Sequence, residues 1–579
     1  MASLQTPDNL NNPNDPASVA WITRLDRPIT DLAAGAGPLA GLRFAIKDNI
    51  DLAGVPTTAS CPGFARTPTQ HAHVVERLLA AGATALGKTN LDQFACGLNG
   101  TRSPYGPVPN SFDARFVSGG SSSGSAYVVA TGEADFALGT DTAGSGRVPA
   151  GLNNLVGIKP SKGLLSARGV VPAAQSVDCV SILARTVGTA LAVLRAAQGF
   201  DVADPFSRAL ALEQSPFPTR FRFGVPDTLA FFGDGGAEKA FDDAIARLVA
   251  MGGTRVTIDY APLSEVAGLL YDSALVSERY AAVRDFFDRH EAEVIEPVRT
   301  ILASGRKYSA ADLVDAQVRL RTLAQRAAPM WDGIDLLLVP TAPTHYTIEA
   351  MQANPVVLNR NLGAYTNFVN LLDYAAISVP SSIRADGLPF GITLIGRCGA
   401  DLQLAELGQR YHHASGLTLG ATGQPLPAPV AVFAEAPPAP ATVRVAVVGA
   451  HLSGMPLNFQ LTERGATLTS TTRTAPAYRL YALAGTVPPK PGIVRVDGAE
   501  GAAVEVEIWE MPIAQYGSFV ALIPWPLGIG TLTLTDGSAV QGFVCESMAL
   551  AGADDISHHG SWRNYMASRA TSAINSQEQ

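Results

Sequence analysis

The stretch Ser118–Ala150, SGGSSSGSAYVVATGEADFALGTDTAGSGRVPA, decides the fold and most of the chemistry of this chain. Three serines, Ser121 to Ser123, sit in a glycine frame, and a second glycine–serine pair follows at Gly144–Ser145. Glycine beside a serine lets the backbone approach a bound carbonyl and take dihedrals that other residues resist. Ser121 and Ser145 stand 24 residues apart with no histidine between them. The pair suggests a nucleophile and a proton relay, and it lacks a base. The chain offers one upstream in RFAIKDNID, residues 43–51, where Lys47 follows the apolar Phe44, Ala45 and Ile46. That is the pattern of a buried strand ending at a polar tip.

A serine hydroxyl is a poor nucleophile until a base takes its proton. Lysine serves only when neutral, and its ordinary pKa of about 10.4 forbids that near pH 7. Desolvation lowers it, and the apolar run before Lys47 fits such a site. Asp48 comes directly after the lysine. Neighbours on a strand point to opposite faces, so Asp48 is expected to turn away.

FAIKDNID, then GGSSSGSA, then GTDTAGSGRVPA resembles, in content and order, the amidase-signature family of hydrolases, over roughly residues 20–415. The resemblance implies a Ser–cis-Ser–Lys triad of Lys47 as base, Ser121 as cis-peptide relay and Ser145 as nucleophile. It also implies an oxyanion hole built from the backbone N–H groups of Thr142, Ala143, Gly144 and Ser145. Removing one such donor typically costs about 100- to 1000-fold in rate. Ala143 departs from the glycine common in the family at that place. Ser122, Ser123 and Ser125 are expected to hydrogen-bond within the turn, and Arg147 to anchor the loop.

The triad names the chemistry and not the substrate. TNLDQFACGLNGTRSPYGPVPN, residues 89–110, resembles the allophanate hydrolase branch more than the transamidosome subunits. In LLYDSALVSERYAAVRDFF, residues 269–287, Tyr271 and Arg279 lie eight residues apart, about two turns along one side of a helix. In that branch such a tyrosine and arginine hold the substrate's carboxylate, a role suited to the planar guanidinium fork. The alternative is a packed tyrosine and a solvated arginine near Glu278 or Asp285. The implied reaction is hydrolysis of the terminal amide of allophanate in urea degradation, giving ammonia and an unstable N-carboxycarbamate that decays to carbon dioxide and ammonia. The resemblance implies no cofactor and no metal, a urea carboxylase as functional partner, and a homodimer.

The chain has 579 residues, 47% of them hydrophobic, which suffices for a large core and a second domain. A net charge of −9 argues against nucleic-acid or anionic-membrane surfaces. Cysteines 61, 96, 179, 398 and 545 are scattered without CxxC spacing, so neither zinc nor a disulfide framework is expected. The polar MASLQTPDNLNNPNDP start carries no signal segment, and no stretch has the roughly 20 apolar residues of a membrane span. A soluble cytoplasmic protein is the expectation.

Helical patterns such as HVVERLLAAGA, residues 73–83, alternate with short apolar runs such as IDLLLVPT, the signature of an α/β fold. The expected catalytic domain, residues 1–419, is therefore a central mixed sheet covered by helices. Residues 420–442, GATGQPLPAPVAVFAEAPPAPAT, read as a Pro/Ala-rich linker. Residues 443–579 are expected to form a small β-rich mixed-barrel domain. Its GAHLSGMPLN turn resembles γ-glutamylcyclotransferase-like domains and makes His451 a candidate functional residue, with a plain turn histidine as the alternative. Rival functions are a biuret or malonamate amidase, a glutaminase subunit of a tRNA-dependent amidotransferase, and an inactive assembly scaffold. A Ser-His-Asp elbow centred on Ser122 in GSSSG ranks below these, because no apolar strand leads into it.

Overall fold

The structure is a computed structural model that describes residues 16–31, 37–433, 441–497 and 499–575. The polar N-terminal stretch thus lies almost wholly outside the described residues, as does the 434–440 part of the expected linker. The chain divides into two compact units, Met1–Ala434 and Glu435–Gln579.

The first unit is built on an eleven-stranded mixed sheet. Its strands are β1 (Trp21–Ile29), β2 (Arg43–Lys47), β3 (Thr84–Thr89), β4 (Phe136–Asp141), β5 (Val156–Lys159), β6 (Cys179–Ala184), β7 (Phe221–Pro226), β8 (Gly253–Ile258), β9 (Leu336–Pro340), β10 (Ala375–Ile383) and β11 (Pro389–Gly396). Their spatial order is β1-β3-β2-β4-β6-β5-β10-β11-β9-β7-β8. β2 runs parallel to both β3 and β4, whereas β6, β5, β10, β11 and β9 pair antiparallel in turn.

Central strands are buried on both faces, which is why they read as continuous apolar runs. Along β9, Leu336 and Leu338 enter one apolar cluster while Leu337 and Val339 enter another. β2 divides the same way: Phe44 and Ile46 pack into the largest cluster, with Phe44 stacked on Phe136 at 5.1 Å between centroids, and Ala45 joins a different one. The period of two places the Lys47 side chain on the Ala45 face. The site forms on that face, where β2 and β4 end side by side.

Residues 420–433, read as linker, belong to the first unit. Val432 is buried, and the Gln409 amide both accepts from Val430 N and donates to Val430 O. The second unit holds a five-stranded sheet and a separate three-stranded one around its own apolar core, which includes Val445, Ile508, Trp509 and Phe519. In the larger sheet Thr442–Val447 pairs antiparallel with Glu505–Pro512 and parallel with Ala539–Cys545. Among the described residues no helix is long and apolar enough to cross a membrane, and no cluster of potential metal ligands occurs.

Candidate active site

Lys47, the last residue of β2, has no solvent exposure. Its Nζ donates to Ser121 Oγ at 2.7 Å and to Thr140 Oγ1 at 2.6 Å. Thr140 lies on β4, which flanks β2. Burial draws the Lys47 pKa down to about 7, against the opposing pull of the Asp92, Asp178 and Asp141 carboxylates. Asp48 turns away as expected: its carboxylate takes Lys88 Nζ at 2.9 Å and the Thr58 hydroxyl.

Ser121 follows a cis peptide bond, Gly120–Ser121, and its carbonyl accepts from Asp92 N at 3.1 Å. The helix Ser123–Ala130 starts directly after it. Of the neighbouring serines, Ser122 exchanges bonds with the backbone of Thr140 and Ser125 donates to Leu138 O. Both tie the turn to β4.

Ser145 lies in the loop between β4 and the short helix Val148–Leu152. Arg147, fully buried, clamps that loop: Nε and Nη2 each donate to the Asp141 carboxylate at 2.9 Å, and Nη2 reaches Thr366 O and Asn370 Oδ1. Burial pushes the Asp141 pKa up, but the Arg147 charge and hydrogen bonds outweigh it and hold the carboxyl below its usual range. The Ser145 hydroxyl donates to Gly97 O at 3.4 Å, and no hydrogen bond joins it to Ser121 Oγ among the described residues.

Gly144 departs from its expected part. Its N–H donates to Asp141 Oδ1 at 2.8 Å and is thereby withdrawn from the hole. The N–H groups of Thr142, Ala143 and Ser145 make no hydrogen bond among the described residues and remain as donors. Gly144 has φ +133, and a Cβ there would lie 2.4 Å from Thr366 Oγ1, so glycine is required for another reason. The Ala143 methyl is accommodated, buried in the apolar cluster with Val177 and Phe368.

Tyr271 and Arg279 meet, but not on one helix. The helix Ala261–Asp272 ends at Ser273, whose extended backbone (φ −136, ψ 178) starts a new segment and whose hydroxyl accepts from Leu275 N. Arg279 lies on the next long helix, Ser277–His290. Its Nη2 donates to Tyr271 Oη at 3.2 Å and its guanidinium lies 5.0 Å from the tyrosine ring centre. Arg279 is 3% exposed, and its Nε and Nη1 have no hydrogen-bond partner. Glu278 faces elsewhere, accepting from Ser176. Tyr271 also lines a cavity of about 650 Å³ with Asn367 and Tyr365.

Sequence reading missed Thr140, Asp92 and Asp178. Asp178 accepts from Thr142 Oγ1 at 2.5 Å and from Ala173 N at 2.7 Å; burial pushes its pKa up against those bonds and the Arg279 charge. Thr140 and Asp92 lie inside stretches quoted above, 139–150 and 89–110, where other residues drew the attention; Asp178 lies in none of them. In the second unit, His451 Nε2 lies 2.8 Å from Gln460 Oε1, and its ring stacks on Phe543 with 5.0 Å between centres. Burial lowers the His451 pKa, and the ring lines a small cavity with Lys490 and Pro491.

Ser121, Ser145 and the fully buried Lys47 thus sit in loops and at a strand end of one mixed α/β sheet. A family model described as Amidase matches residues 7–405, and the chain belongs to that family. A second model, described as Allophanate hydrolase C-terminal domain, matches residues 443–567. Over 541 residues the chain is 42% identical to the urea amidolyase of Saccharomyces cerevisiae, a match covering 91% of this chain and 30% of that protein. The chain thus spans about a third of the length of the curated relatives it matches most strongly. Among solved structures it is similar to the selenomethionine-substituted allophanate hydrolase of Kluyveromyces lactis: TM-score 0.69, 39% identity, 97% of each chain covered. It is also 36% identical to one subunit of the Glutamyl-tRNA(Gln) amidotransferase of Methanosarcina acetivorans, over 63% of this chain and 83% of that protein.

Proposed function

We propose that this chain is an allophanate hydrolase acting through Ser145, Ser121 and Lys47. The observation that carries the substrate assignment is Arg279, a buried guanidinium with two donor nitrogens unpartnered beside Tyr271. Asp178 faces this guanidinium, but no carboxylate is in hydrogen-bond contact with it among the described residues. Unpartnered buried donors are costly, and a carboxylate-bearing substrate supplies their partner. The likeness to allophanate hydrolase structures over nearly the whole chain supports the same reading.

In the proposed reaction, neutral Lys47 takes the Ser121 proton as Ser121 takes that of Ser145, whose hydroxyl gives up Gly97 O. Ser145 Oγ bonds to the terminal carbamoyl carbon, and the resulting oxyanion is met by the N–H groups of Thr142, Ala143 and Ser145. The carbon–nitrogen bond breaks, and the departing nitrogen takes the proton back through Ser121 and leaves as ammonia. Water then attacks the acyl-enzyme by the same relay, freeing Ser145 and N-carboxycarbamate, which decays to carbon dioxide and ammonia. His451, in its small cavity, is the proposed promoter of that last step. The substrate is supplied by a urea-carboxylating enzyme. A homodimer in the cytoplasm completes the proposal, with sedimentation and fractionation as its checks.

The test is ammonia release from fresh allophanate, biuret, malonamate and glutamine at equal concentration, with the wild type and Arg279→Ala. The expected result is a strong preference for allophanate, with Arg279→Ala losing far more on allophanate than on uncharged biuret. Equal losses on the two would overturn carboxylate recognition by Arg279.

A further inference from the structure

Asp92 is a fully buried carboxylate that the reaction above leaves without a role. Its Oδ2 accepts from Asn99 N at 3.2 Å and Gly100 N at 3.1 Å, and its Oδ1 accepts from Arg102 N at 2.9 Å. All three donors are backbone amides of one loop. That loop also carries Gly97, whose carbonyl holds the Ser145 hydroxyl. The Asp92 N–H meanwhile holds the carbonyl of Ser121. Two glycines press directly on the carboxylate: a Cβ at Gly97 would lie 2.4 Å from Asp92 Oδ2, and one at Gly120 would lie 2.2 Å away. One side chain therefore touches the backbone before Ser121 and the loop under Ser145.

No cation neutralises it among the described residues. The Arg102 guanidinium is spent on Cys96 O and Pro355 O. The other acids facing Lys47 are engaged: Asp141 is paired with Arg147, and Asp178 is hydrogen-bonded to Thr142 and faces Arg279.

We infer that Asp92 is the positioning residue of this site: it braces the loops that present Ser121 and Ser145, and it places an uncompensated negative charge near Lys47. Its charge is the largest of those that oppose the fall in the Lys47 pKa caused by burial. A base works best with a pKa near the working pH, because a lysine driven lower stays neutral but accepts a proton weakly. Asp92 thus tunes the same residue whose partners it aligns. This inference rests on Lys47 being the base.

The test is the pH profile of kcat/KM for allophanate hydrolysis by the full chain, for wild type, Asp92→Asn and Asp92→Glu. Wild type should show an acid limb near pH 7. In Asp92→Asn that limb should move to lower pH by roughly one unit, with a plateau about tenfold lower. Asp92→Glu keeps the charge but shifts the brace, so its plateau should fall while the limb stays in place. A merely structural role would lower the plateau without moving the limb. If Asp92→Asn folds and its limb coincides with that of wild type, or moves up, the inference is overturned. If Asp92→Asn does not fold, Asp92→Ser takes its place: a limb moved to lower pH upholds the inference, and an unmoved limb overturns it. A wild-type profile with no acid limb would instead remove Lys47 as base, and this inference with it.

Discussion

β2 and β3 lie side by side in parallel, and each buries a lysine completely. Lys88, on β3, has the Asp48 carboxylate at 2.9 Å and the Thr57 hydroxyl at 3.0 Å. Lys47, on β2, has among the described residues only hydroxyls within bonding distance, those of Ser121 and Thr140. Asp48 is the chain neighbour of Lys47 yet serves the other lysine, because the alternation at the strand end carries it to the opposite face. The desolvation penalty weighs on both amines. What separates them is the nearest counter-charge: Lys88 has a carboxylate at ion-pair distance, whereas Lys47 has none there, and burial draws its pKa down.

Replacing each lysine by methionine, which keeps the shape and removes the charge, should break the two sites in opposite ways. Lys47→Met should lower kcat/KM for allophanate by about 100- to 10,000-fold, the range for loss of a general base, without lowering the unfolding midpoint at pH 7. A near-normal rate would show that another group accepts the Ser121 proton. Lys88→Met should leave the Asp48 carboxylate buried without its cation, at a cost of about 3–5 kcal/mol in unfolding free energy. Urea unfolding measures that loss, and the rate per folded molecule should stay near wild type. A stable Lys88→Met protein with a collapsed rate would reverse the comparison.

The pairing of Lys88 with Asp48 was half legible: the face taken by Asp48 followed from period two, but its partner, 40 residues away in the chain, did not. Lys47, Ser121 and Ser145 could be singled out because each sits in a motif whose glycines and apolar run have a local physical reason; the structure joins Lys47 to Ser121, while Ser145 bonds Gly97 O. Tyr271 and Arg279 were legible as a pair and not as a geometry. Continuous helical spacing hid the break, whose only sequence mark is Ser273, a good cap residue ahead of Ala274. Gly144 was misplaced in the hole because the sequence does not show that Asp141 reaches over its own turn to take that N–H. Asp92 and Thr140 lie inside the quoted stretches 89–110 and 139–150, but nothing local singled them out, since their contacts form only after the sheet brings β4 and the Gly97 loop to the end of β2. The prolines of residues 420–442 suggested a linker; extended chain of that composition lies equally well along a surface, and Gln409 holds its 420–433 part.

The effect that is smallest at any one pH step, a slope of stability against pH, discriminates most finely between the two lysines. Burial sets the Lys47 pKa at about 7 in the folded chain against an ordinary 10.5. Between those pH values the unfolded chain binds one proton more at this residue than the folded chain does. Stability therefore rises with pH across that window, by roughly 1.4 kcal/mol per unit for a single proton. Below the window the folded lysine is charged too, and the slope vanishes. Lys47→Met removes the residue from the balance, so subtracting its stability–pH curve from that of wild type isolates this one contribution. The difference should climb steadily from about pH 7 upward, because every other titrating group is common to both proteins. Parallel curves would mean that Lys47 keeps its proton as firmly folded as unfolded, which would leave the proposed hydrolysis without its base.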